Sequence, residues 1–106
     1  MTSAELQEIG LRITQRRKEM NLTQEKIADM MDVSVQMISN LERGVKAIKI
    51  DNLIKISEIL GISTDYILTG KHTLNDHNIM LLKLTKLSNE DFDMIDMLTE
   101  YCLSKR

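Results

Sequence analysis

The stretch Leu22 to Gly44, LTQEKIADMMDVSVQMISNLERG, admits few folds. It holds two helix starts in close succession, and each carries the same three-part signal. Thr23 can cap one helix, with Leu22 before it and Ile27 four residues on. Ser34 can cap the next, with Val33 before it and Ile38 four residues on. A hydroxyl cap satisfies orphan N–H groups of the first turn, and the flanking apolar pair fixes the angle at which the chain enters. The pattern predicts helices over residues 23–31 and 34–43, with Gly44 closing the second. Two helices with so short a connection must cross steeply, which is the geometry of a DNA-reading helix-turn-helix.

The side chains of these two helices fall into two sets. Ile27, Ala28, Met31, Val33, Ile38 and Leu41 can point inward, with Ala28 small where the helices approach. Val35, Gln36, Ser39 and Asn40 can point outward, and Met37 lies between the faces. A merely solvated helix is usually rich in Lys and Glu, as propensity favours. Here the outward groups are short, and their polar members can hydrogen-bond base edges. The turn needs a residue that tolerates positive φ, and Asp32 does so better than most, though less well than Gly.

Around this stretch the chain reads as helices throughout. Thr2 or Ser3 can cap a first helix to about Met20, with Leu6, Ile9, Ile13 and Met20 near one stripe and Arg12, Arg16 and Lys18 off it. Asn21 suits a left-handed C-terminal position. A loop at 45–50 carries Lys46 and Lys49, and a helix over 51–60 turns Leu53, Ile54, Ile56, Ile59 and Leu60 inward. Ser63 caps a short fifth helix, stapled by Ile62 and Ile67 and closed by Gly70. Residues 71–76 are polar and read as a linker.

Residues 77–106 become helical again. Ile79, Met80, Leu81, Leu82 and Leu84 mark one helix. Ser88 caps the next, with Asp91 in the place of the usual capping-box Glu or Gln, and Leu87 with Phe92 as staple. On it Phe92, Ile95, Leu98 and Cys102 share a stripe, with Met94, Met97 and Tyr101 beside them. A short hairpin cannot bury so wide an apolar face alone. It can pack back on the first five helices or pair with another copy. Dimerisation through Phe92, Ile95, Leu98, Tyr101 and Cys102 is the favoured reading, because this motif reads operators with two-fold symmetry.

Composition narrows the function classes. The chain has no Pro, which suits an all-helical fold, and only 3% aromatics, so its core must be aliphatic. The longest apolar run is Ile79 to Leu82, too short to span a membrane, and no secretory leader is expected. A lone Cys102 cannot form an internal disulfide and fits a reducing, cytoplasmic setting. His72 and His77 lack metal-ligand spacing, so no metal and no cofactor are expected. No Ser/His/acid set or phosphate-cradling Gly loop points to an enzyme. Net charge is −2, and residues 1–71 hold ten basic and ten acidic residues. Phosphate neutralisation supplies most non-specific affinity, so weak non-specific DNA binding is expected.

The run from Leu22 to Gly44 resembles the Xre-type helix-turn-helix family, the lambda-repressor-like domains of phage and bacterial regulators. Residues 9–13 (IGLRI) and 16–18 (RRK) resemble that family's first helix, and 53–56 (LIKI) with 59–70 (ILGISTDYILTG) its closing helices. The resemblance implies an all-α architecture. A five-helix lambda-repressor-like DNA-binding domain would occupy 1–70, followed by a C-terminal helical hairpin for oligomerisation. It implies that Gln24 bonds a phosphate, that Val35, Gln36, Ser39 and Asn40 face bases, and that Arg17 pairs with Glu42 beneath the motif. Lys46 and Lys49, with Arg17 or Arg43, would contact phosphates. The expected function is a sequence-specific regulator, a repressor acting as a homodimer on a pseudo-palindromic site in double-stranded DNA. The expected setting is bacterial or phage-encoded, cytoplasmic and nucleoid-associated. A second reading keeps the fold but makes the chain an antagonist that hetero-oligomerises with another regulator and titrates it.

Overall fold

In a computed structural model, residues 1–105 are described. Their regular elements are α1 (Ser3–Glu19), α2 (Gln24–Met31), α3 (Val35–Arg43), α4 (Ile50–Leu60), α5 (Thr64–Thr69), α6 (Leu74–Leu84) and α7 (Asn89–Ser104). They divide into two units, Met1–Thr73 and Leu74–Arg106.

Hydroxyl caps start most of these helices. Thr2 and Glu5 form a reciprocal capping box at α1, each bond 3.1 Å. The hydroxyls of Thr23, Ser34 and Ser63 accept from Lys26 N, Met37 N and Tyr66 N at 3.0, 3.1 and 3.0 Å. Asn21 and Asp32 take left-handed conformations, with φ 57° and 56°. Asp32 thus does the turn's work that Gly would do without strain.

The first unit closes over Ile9, Ile13, Ile27, Ala28, Met31, Ile38, Ile56, Leu60 and Ile67, all buried. Gly10 lets α1 and α3 approach. A Cβ there would stand 2.3 Å from the Glu42 carbonyl oxygen and 2.5 Å from that of Leu41, closer than any real contact. One expectation for α4 needs correction. Ile54 faces outward and is 49% exposed, because Leu53, Ile56 and Leu60 take the inward stripe and Ile54 lies about 100° away from Leu53. In its place the buried set includes a polar residue, Asn52.

The second unit starts earlier than its sequence suggests. Helix α6 begins at Leu74, inside the expected 71–76 linker, where Asp76 in the first turn suits the helix dipole. In α7 the Ser88 hydroxyl accepts from Asp91 N at 3.2 Å. Neither helix contains a buried residue. Leu84 and Ile95 are half-buried, while Phe92, Leu98, Tyr101 and Cys102 are exposed. Lys105 places its ammonium 5.4 Å from the Tyr101 ring centre. Among the described residues, no helix is long and apolar enough to cross a membrane.

Candidate nucleic-acid interface

Helix α3 owes its position to what lies beneath it. Ile38 and Leu41 are buried on its inner side. Behind them, Glu42 reaches into a polar cluster whose side chain is only 4% exposed. Arg17 meets it with both ends of its guanidinium fork, Nε to Oε2 at 2.7 Å and Nη2 to Oε1 at 2.9 Å. Arg17 Nη1 donates to the Leu22 carbonyl at 3.0 Å. Gln24 Nε2 donates to Glu42 Oε1 at 3.1 Å. The Thr14 hydroxyl lies 2.9 Å from both Glu42 Oε1 and the Gly10 carbonyl, and its single proton serves one at a time. The carboxylate therefore ties α1 and α2 to α3, and Arg17 carries the tie on to the α1–α2 turn.

Burial pushes the Glu42 carboxyl up, but the hydrogen bonds from Arg17, Gln24 and Thr14 and the Arg17 charge outweigh it. The net effect holds the carboxyl below its ordinary value. The bond to Glu42 in turn raises Arg17, against the effect of burial.

These bonds engage two of the expected phosphate contacts, Arg17 and Gln24. Arg17 has a side chain 12% exposed and one bond from each of its three guanidinium nitrogens, which commits three of its five N–H groups inside the cluster. Gln24 has one amide hydrogen committed to Glu42, which leaves its second for a phosphate. The other α1 arginines also work internally. Arg12 donates to the carbonyls of Ile67 and Leu68 at 2.9 and 3.3 Å, and Arg16 to that of Leu60 at 2.8 Å. They cap the C-terminal ends of α5 and α4, where cations also suit the helix dipole. Thr14, Arg12 and Arg16 carried no local signal for these roles. The partners that define these roles lie 28 to 56 residues away in sequence.

The outer side of α3 is polar and already ordered. Gln36 Nε2 donates to Asn40 Oδ1 at 3.0 Å, and Arg43 Nη2 donates to the same oxygen at 2.7 Å. Val35, Gln36 and Arg43 are exposed, and Ser39 and Asn40 are half-buried. Gln36, Asn40, Lys46 and Lys49 line one open cleft with Ser34 and Met37. Both lysines are exposed. Side chains able to read bases thus stand beside cations able to hold phosphates. Val35 and Ser39 lie on the same helix outside that cleft's lining. The expected oligomerisation residues belong to the second unit.

A capped α2, a left-handed turn and a capped α3 with a buried inner side define a helix-turn-helix domain. Comparison with known proteins gives the family. The Helix-turn-helix family model matches residues 13–67, and the chain belongs to this family as a regulator of the Xre type. It is 33% identical over 82 residues to the HTH-type transcriptional regulator ImmR of Bacillus subtilis, a match that covers 77% of this chain and 63% of ImmR. It is 32% identical over 95 residues to the cryptic phage CTXphi transcriptional repressor RstR of Vibrio cholerae, covering 87% of this chain and 84% of RstR. Among solved structures, it resembles the P22 c2 repressor in complex with a synthetic operator. The TM-score is 0.59 at 37% identity, over 61% of this chain and 98% of that one.

Proposed function

We propose that this protein is a transcriptional repressor that binds a pseudo-palindromic site in double-stranded DNA as a homodimer, with α3 in the major groove. The observation that carries the reading is the shared cleft of Gln36, Asn40, Lys46 and Lys49. Gln36 and Asn40 each offer the acceptor and donor pair that matches adenine N6 and N7. In the free protein Asn40 Oδ1 accepts from two neighbours, so reading a base with it means exchanging those bonds for base bonds. Exchange rather than loss keeps the cost of desolvation small. Val35, exposed on α3, offers an apolar contact for a thymine methyl. The RstR repressor and the operator-bound P22 c2 structure support the reading by similarity.

The second copy answers two needs. Few cations face outward from α3 and its loop, so one copy neutralises few phosphates. Helix α7 is apolar around about two-thirds of its circumference, with Asp93, Asp96 and Glu100 as its polar ridge. A helix of that pattern belongs inside a bundle. The same exposed face supports the second reading, in which the partner is another regulator that this chain titrates. Binding to a randomised duplex library tests the DNA assignment. Gln36→Ala should cost about 1–3 kcal/mol at one base position and relax specificity there. An unchanged motif would reject the assignment. Sedimentation of Leu98→Glu should show monomer where the parent is a dimer, and a persistent dimer would move the interface elsewhere.

A further inference from the structure

The first unit contains an apolar cavity that the DNA reading does not use. Its volume is about 200 Å³, and it lies between α1, the end of α3, loop 45–49 and the start of α4. Leu6, Ile9, Leu41, Ile48 and Leu53 line it, and Lys46 carries the one charged side chain among its lining. Lys46 and Ala47 also line the cleft beside Gln36 and Asn40. The loop is therefore a thin wall with the cavity on one side and the DNA-facing cleft on the other. Ile48 anchors the loop against the core. Helix α4 has Lys49 as its N-cap residue and no side-chain cap bond, whereas α2, α3 and α5 are each capped by a hydroxyl.

We propose that this cavity binds a small anionic amphiphile, a medium-chain carboxylate whose tail fills the cavity and whose head pairs with Lys46. An apolar cavity of about 150 Å³ takes benzene, so this one suits a chain of roughly six to eight carbons. Lysine at the rim selects an anion and rejects a cation. Lysine can lay its stem on the apolar wall and keep its ammonium in water, so the head group need not be buried. The head competes with phosphate for Lys46, which lines both the cavity and the DNA-facing cleft. Occupancy and DNA binding then oppose each other, and each weakens the other by the same factor. This coupling rests on the DNA reading above, while the cavity itself does not.

Sodium octanoate is the probe, titrated without DNA into the full-length protein carrying labelled methyl groups. Saturable shifts should appear at Leu6, Ile9, Ile48 and Leu53, with octyltrimethylammonium at least about tenfold weaker. Lys46→Gln should weaken octanoate about tenfold and leave 1-octanol unchanged. Leu6→Trp, or Leu53→Phe if the first variant does not fold, should abolish the shifts. With duplex DNA present, octanoate should raise the Kd for DNA about tenfold in the parent and not in the filled variant. The cavity assignment is overturned if no saturable shift appears below about 10 mM. It is overturned equally if the cation binds as well as octanoate, or if a filled variant still binds. Shifts driven by protein concentration alone would make a second copy the occupant and also reject it. If the protein binds no duplex DNA, the methyl titration still decides the cavity, and only the coupling fails.

Discussion

Pairing between Arg17 and Glu42 should behave as a buried unit whose halves are each costly to remove alone. Breaking a buried ion pair by deleting one partner typically costs about 3–5 kcal/mol, because an uncompensated charge stays inside. Glu42→Leu leaves Arg17 with its bond to Leu22 and some access to water, so its cost falls at the low end, about 3 kcal/mol. Arg17→Met leaves a carboxylate whose side chain is 4% exposed, with Gln24 and Thr14 as its remaining donors. Its cost should be about 4 kcal/mol. The double variant removes both charges and retains apolar volume, and should sit within about 2 kcal/mol of the parent rather than about 7 below it. Urea unfolding followed by circular dichroism at pH 7 measures all three. In thermal scans the single variants should lose about 12 °C or more.

The same pair sets a pH signature. The folded state holds the Glu42 carboxyl below its unfolded value, so the unfolded chain binds the proton more readily. The pair's stabilisation is therefore full above an unfolded carboxylate pKa of about 4.3 and is lost as pH falls through the lower folded value. The gap between the parent and Glu42→Leu should narrow below about pH 4. Single variants within 1 kcal/mol of the parent, or a double variant as unstable as the singles combined, would refute this reasoning.

Three further outcomes follow from particular contacts. Gly10→Ala should destabilise the first unit by about 2–3 kcal/mol in urea unfolding despite its gain in helix propensity, because the new Cβ meets α3 backbone. Ser34→Ala should cost about 1 kcal/mol in the same assay through loss of the α3 cap. Arg16→Met should cost about 1–2 kcal/mol of stability and leave the salt slope of DNA binding unchanged, whereas Lys46→Ala should lower that slope by about one.

Local patterns made much of the fold legible. The caps at Thr23, Ser34, Ser63 and Ser88 and the left-handed turns at Asn21 and Asp32 depend on neighbours a few residues away, which sequence displays directly. What sequence concealed was non-local. Arg12 and Arg16 look like surface cations on α1, and only the tertiary fold brings the carbonyl ends of α5 and α4 to them. Gly10 gives no sign of a close approach, since the atoms that exclude a Cβ come from α3. The face of α3 was legible because helical spacing separates Ile38 and Leu41 from Gln36 and Asn40. Its internal wiring through Arg43 was not, because three polar side chains at that spacing can bond one another or water equally well.

The reading helix is tested most directly by selecting binding sites for the full-length protein from random duplex DNA. A two-fold symmetric site is the expected result, with half-sites about 10–10.5 base pairs apart centre to centre, and with one base position in each half lost in the Gln36→Ala selection. No enriched site, or an asymmetric one that Gln36→Ala leaves intact, would contradict the claim that α3 reads DNA as part of a dimer.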